Sequence, residues 1–100
     1  VFIDIDGTLI RKDHSLSAAT INTIKTLKEK NILVVLVSSR PLSGIAPIAE
    51  KLHLLDNPIA SLNGAYIADK REIIFNSIID GGITERLHET LEKFNSTIIY

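Results

Sequence analysis

Two carboxylates, Asp4 and Asp6, close an apolar run and are followed at once by Gly7, Thr8 and Leu9. In extended chain, residues two apart leave on the same side. The spacing therefore sets two like charges together, which is costly unless a cation joins them. Ligands that are all oxygen suit Mg²⁺, so Asp4 and Asp6 are the candidate metal residues. Gly7 permits a sharp turn or positive φ. Thr8 offers a hydroxyl and a backbone N–H to an anion. Carboxylates, a hard cation and anion donors at one strand tip suggest phosphoryl transfer. An Asp-Gly pair alone is a common turn former. The full string Asp4-Ile5-Asp6-Gly7-Thr8-Leu9 behind an apolar strand is much rarer.

Two more polar clusters sit where strands should end, Ser38-Ser39-Arg40-Pro41 and Asn63-Gly64-Ala65. Residues 1–5 read as a buried parallel strand, and residues 32–37 form a second continuous β-rich run. Between them Ser17 is a helix cap, and Ala18, Ile21, Ile24 and Leu27 recur every three residues as an inward stripe. Asn31 can take the left-handed conformation that ends such a helix. Strand, helix and strand make a crossover unit. Residues 44–52 read as a short helix with Ile45, Ile48, Ala49 and Leu52 inward and Pro47 near its first turn. Residues 58–62 are a third strand, and residues 65–68 and 72–75 flank Asp69-Lys70-Arg71 as a β-hairpin. Gly81-Gly82 punctuates the chain, and Thr84 is expected to cap a helix carrying Ile83, Leu87, Leu91 and Phe94. Residues 96–100 read as the start of another strand. In an open parallel sheet, ligands bind beyond the carboxyl ends of the strands. The three polar clusters are therefore expected to meet.

Composition narrows the function classes. One hundred residues with 45% hydrophobic content suffice for one small domain or a piece of a larger one, and the net charge of −1 supplies no basic field for nucleic acid or a membrane surface. The longest apolar runs are strand length, far short of a membrane span. There is no cysteine, hence no disulfide framework and no thiolate site. No signal peptide is visible, and a cytoplasmic enzyme is the expectation.

The strings Asp4-Ile5-Asp6-Gly7-Thr8-Leu9, Ser38-Ser39-Arg40-Pro41 and Ser61-Leu62-Asn63-Gly64-Ala65 together resemble the haloacid dehalogenase-like phosphohydrolases, in their Cof-type sugar-phosphatase branch. The resemblance implies an α/β fold, a Rossmann-like parallel core with an α/β cap inserted after the hairpin. Residues 1–81 would then be the N-terminal part of the core and residues 82–100 the beginning of the cap. It implies a Mg²⁺-dependent phosphatase acting on small phosphorylated metabolites, sugar phosphates above all. Asp4 would be the nucleophile that forms an aspartyl phosphate. Asp6 would be the acid for the leaving alcohol and then the base for water. The metal would be held by the Asp4 carboxylate and the Asp6 backbone carbonyl. Gly7, Thr8, Ser38, Ser39 and Arg40 would bind phosphate, and Asn63 and Gly64 would line the substrate side. The family usually carries Thr-Gly-Arg-Pro where this chain has Ser38-Ser39-Arg40-Pro41; the hydroxyl is kept and the glycine is not. Arg40 is equally readable as a phosphate contact or an ion-pair residue.

A phosphomutase of the same superfamily and a non-catalytic module that binds a phosphorylated ligand are the alternatives. Binding alone does not need a nucleophile beside an acid/base. The lysine motif and the further acidic metal motif that the resemblance implies are expected beyond Tyr100, and the 100 residues alone are expected to be inactive. The substrate and the oligomeric state are not legible. Residues 11–14 read as an exposed flap near the site, and His14, His53 and His88 match no role in the family pattern.

Overall fold

A computed structural model describes residues 1–70 and 72–94. The apolar runs form short strands, β1 (Phe2–Asp4), β2 (Val35–Val37) and β3 (Ile59–Ser61), and the hairpin forms β4 (Tyr66–Asp69) and β5 (Glu72–Asn76). All five lie in one sheet in the order β1-β2-β3-β4-β5. The first three are parallel and the last two antiparallel. The fold is thus α/β with a mixed sheet, its parallel part carrying the crossover helices. Asp4 pairs with Val37, and Val37 with Ala60, so the three parallel strands end level with one another. That register brings the residues after each strand to one end of the sheet.

Helix α1 (Ala18–Glu29) starts where Ser17 caps it, the Ser17 hydroxyl accepting from the Thr20 N–H. Asn31 has φ 57°, the left-handed turn expected after this helix. The inward stripe is narrower than its period implies. Ile24 is buried and Leu27 packs on the core, whereas Ala18 and Ile21 are exposed. Helix α2 (Leu42–Lys51) begins two residues earlier than expected and buries Ile45 and Ala49. Pro47 is therefore past the first turn, and the Ser43 carbonyl loses its usual partner. Both residues are exposed, which leaves water to satisfy that carbonyl.

The core joins Ile5, Leu9, Ile10, Ile24, Val34, Leu36, Ile45 and Leu54. Replacing Ile45, which has no exposed surface, by alanine is expected to destabilise the protein by about 2–5 kcal/mol in urea unfolding. The first strand is less buried than its composition suggests: Val1 and Phe2 are exposed, because β1 is the sheet edge among the described residues. Ile32 and Leu33 are also exposed and precede β2.

Helix α3 (Gly81–Glu92) departs from expectation at its start. Asp80 is the cap, its carboxylate accepting from the Gly82 N–H at 2.9 Å, and Thr84 lies inside the helix with its hydroxyl on the Asp80 carbonyl. The paired glycines form the first turn of the helix. The short capping carboxylate outcompetes a threonine four residues later, since Asp80 is the residue with extended ψ. α3 buries no residue; Ile83, Leu87 and Phe94 are exposed. The helix thus does not fold back onto Val34, Val35 and Leu36 as a further crossover. The expected strand at residues 96–100 and Arg71 of the hairpin turn lie outside the described residues.

Candidate active site at the strand tips

Immediately after β1 the chain wraps over its own end. The Leu9 and Ile10 N–H groups both donate to the Ile5 carbonyl, at 3.1 and 3.0 Å. Ile5, Leu9 and Ile10 are buried, while Asp6, Gly7 and Thr8 between them are exposed. Gly7 takes φ 81°, a conformation a side chain would strain. Three apolar anchors thus hold up a polar crest. On it the Thr8 hydroxyl donates to Asp4 Oδ2 at 3.2 Å, leaving Oδ1 of Asp4 without a hydrogen bond among the described residues.

The second and third tips clamp together. The Arg40 N–H donates to the Ser38 hydroxyl at 3.1 Å. The Leu62 N–H donates to the Arg40 carbonyl at 3.1 Å, and the Asn63 N–H to the Ser38 carbonyl at 3.0 Å. Leu62 and Asn63 reach these carbonyls by adopting φ 51° and 55°, and Gly64 follows at 88°. Leu62 and Asn63 thus brace, through their backbone, the loop that carries Ser38 and Arg40. Ser38 is buried and its hydroxyl has a local partner that the sequence did not reveal. Accepting from Arg40 still leaves the hydroxyl hydrogen to donate. Ser39 is exposed beside it.

Arg40 joins the two halves. Its Nε donates to Asp6 Oδ2 at 2.8 Å and its Nη2 to Asp6 Oδ1 at 2.6 Å, a two-point ion pair across 34 residues of sequence. The Arg40 hydrogen bonds, and then its charge, hold the Asp6 carboxyl below the usual carboxylate range, and the same pairing raises Arg40. Of the two readings of Arg40, the geometry places it in the ion pair. Its Nη2 also meets His14 Nδ1 at 3.4 Å. His14 is the residue at this site that sequence reasoning passed over; the one signal was its place in the flap beside the first motif.

The donors suit a hard cation in one arrangement. In this structure both carboxylate oxygens of Asp6 accept from Arg40, so its side chain is engaged in the ion pair. The Asp6 backbone carbonyl and the Asp4 carboxylate are an oxygen pair that fits Mg²⁺, which keeps several waters and takes one or two carboxylates plus substrate phosphate. No group of three or more His, Cys, Asp or Glu side chains is placed to hold a metal among the described residues. The crest is exposed, and a hollow of about 410 Å³ lies away from it between α2 and the sheet, against Leu42, Ala46, Ile59 and Ala68. No helix among the described residues is long and apolar enough to cross a membrane.

A family model of haloacid dehalogenase-like hydrolases matches residues 1–100. The stress response protein YhaX of Bacillus subtilis (strain 168) is 33% identical over 97 residues, which cover 96% of this chain and 33% of that protein. The 5-amino-6-(5-phospho-D-ribitylamino)uracil phosphatase YitU of the same organism is 31% identical over 67 residues, covering 67% of this chain and 24% of that protein. The crystal structure of a haloacid dehalogenase-like hydrolase from Bacteroides thetaiotaomicron superposes with a TM-score of 0.86 at 28% identity, over 92% of this chain and 36% of that one. The chain spans about a quarter to a third of the length of these proteins.

Proposed function

The chain belongs to the haloacid dehalogenase-like hydrolase family, and from that premise we propose that it carries the nucleophile half of the active site of a Mg²⁺-dependent phosphatase. The substrate class we propose is small phosphorylated metabolites, sugar and polyol phosphates in particular, in the cytoplasm. The match to a phosphatase of a phosphorylated ribityl compound supports that class. The observation that carries the reading is the meeting of three strand tips: after β1 a carboxylate steadied by Thr8 and a second gripped by Arg40, after β2 the buried Ser38 hydroxyl, and after β3 the Leu62 and Asn63 N–H groups that brace it.

In this reading Oδ1 of Asp4 attacks phosphorus, the bond to the leaving oxygen breaks, and Asp6 supplies the proton that oxygen takes up. Water then attacks the aspartyl phosphate, Asp6 takes the proton back, and inorganic phosphate leaves with Asp4 restored. The Asp4 carboxylate and the Asp6 carbonyl would hold Mg²⁺, whose charge lets a phosphate dianion approach a carboxylate. Gly7 and Thr8 of the crest, with Ser38, Ser39 and the remaining guanidinium hydrogens of Arg40, would cradle the phosphoryl oxygens. Alone, Arg40 favours the ionised, base form of Asp6. An arriving phosphate dianion competes for the guanidinium and sets a like charge beside the carboxylate, which raises its proton affinity. Binding of substrate thereby readies Asp6 as the acid.

The open crest needs a cover. We assign that role to a second unit beginning with α3, where Ile83 and Leu87 on the helix and Phe94 just beyond it are exposed. Such a cover excludes water during transfer and readmits it for hydrolysis. The 100 residues alone would on this account be inactive. Turnover of an aryl phosphate by the full-length protein is expected to vanish in a chelator and to return with Mg²⁺; equal turnover in both conditions would overturn the reading.

A further inference from the structure

The loop between the first motif and α1 is ordered in a way that core packing does not explain. Residues 11–14 are all exposed. Yet the His14 N–H donates to the Arg11 carbonyl and the Arg11 N–H to the Ser15 carbonyl, both at 2.9 Å. Both the N–H and the hydroxyl of Ser15 donate to Asp13 Oδ1, at 3.0 and 2.6 Å. This small knot holds His14 at φ 62°, a conformation uncommon outside glycine although tolerated by histidine and asparagine. The result is an imidazole whose Nδ1 lies 3.4 Å from Arg40 Nη2.

An Arg side chain has five N–H donors. Arg40 gives Nε and one Nη2 hydrogen to Asp6, and the other Nη2 hydrogen faces His14. Only Nη1 is without a partner among the described residues. We propose that His14 is a positioning residue: by accepting the second Nη2 hydrogen on Nδ1, it fixes the guanidinium plane against Asp6 and leaves the Nη1 hydrogens for an incoming phosphoryl oxygen. The contact assigns the imidazole its acceptor at Nδ1 and its hydrogen at Nε2. His53 and His88 have other surroundings: the His53 carbonyl accepts from Lys28 Nζ, and His88 pairs with Glu92 along α3. The assignment of the Nη1 hydrogens to phosphate rests on the phosphatase reading; the grip of His14 on Arg40 does not.

The backbone and side-chain roles of His14 separate by substitution. His14→Gly keeps the left-handed backbone and removes the acceptor. His14→Asn keeps the backbone and places an amide oxygen near the position of Nδ1. In the full-length protein, rotation of the Arg40 guanidinium, followed by NMR of its side-chain N–H signals, is expected to be faster in His14→Gly and near wild type in His14→Asn. The affinity for inorganic phosphate, used as the probe, is expected to fall about three- to tenfold in His14→Gly, and KM for an aryl phosphate to rise by a similar factor with kcat within about twofold. Asparagine is expected to restore both. Unchanged guanidinium rotation in His14→Gly, or asparagine as damaging as glycine, would overturn the proposal. A full-length protein that hydrolyses no phosphate monoester would sink the phosphatase reading, while the guanidinium measurement would still decide the role of His14.

Discussion

Asp4→Asn is expected to lower phosphate monoester hydrolysis by the full-length protein on the order of 10⁴–10⁶-fold, the scale on which losing a nucleophile acts. An amide in place of the carboxylate is nearly isosteric, and the Thr8 hydroxyl can still donate to the amide oxygen. Asp4 is also exposed, so no core contact is lost. The unfolding midpoint should therefore stay close to wild type while turnover disappears. A metallofluoride that mimics the transferring phosphoryl group should seat against Asp4 in the wild-type protein and fail to bind the variant. Residual turnover within about tenfold of wild type, or a mimic seated on another residue, would remove Asp4 from the nucleophile position.

What made this site readable in advance was local chemistry. Ser17 caps α1, Asn31 turns left-handed after it, and Asp69-Lys70 introduces the hairpin, each because short-range backbone bonding favours those residues there. The three polar clusters follow three β-rich runs, and parallel pairing with level ends brings them together. The links between clusters were less legible. The bond from Arg40 to Asp6 spans 34 residues, and no periodicity reports which of several partners a guanidinium will choose. The clamp of Leu62 and Asn63 on the Ser38–Arg40 loop runs through backbone groups that every residue possesses, so side-chain types carry no trace of it. The cap of α3 was misplaced by favouring Thr84, when Asp80 sits one position before the paired glycines and captures the free N–H of Gly82. Burial at the sheet edge was overstated for Val1 and Phe2 because an apolar run states a tendency to be covered, and the cover itself is a matter of topology.

Asp6→Asn is expected to cost about 10²–10⁴-fold in turnover, as removing an acid/base group does. The size should depend on the leaving group. An aryl oxide departs readily without a proton, so the first half-reaction of an aryl phosphate loses little. An alkyl alcohol departs poorly without one, so a sugar phosphate should suffer the larger loss. Hydrolysis of the aspartyl phosphate needs Asp6 as base with either substrate, and the aryl phosphate should therefore show a burst of phenol followed by slow turnover. Arg40 supplies an independent check. It holds the Asp6 carboxyl below its ordinary value of 3.8, chiefly by hydrogen bonding. A carboxyl lowered in the folded state adds stability that is present above its unfolded value and fades as pH falls through the lower folded one. Asp6→Asn should thus leave stability at neutral pH slightly reduced, and should flatten its decline only below about pH 4. Equal losses for aryl and alkyl phosphates, with no burst on either, would show that Asp6 moves no proton to the leaving group and serves only to anchor Arg40.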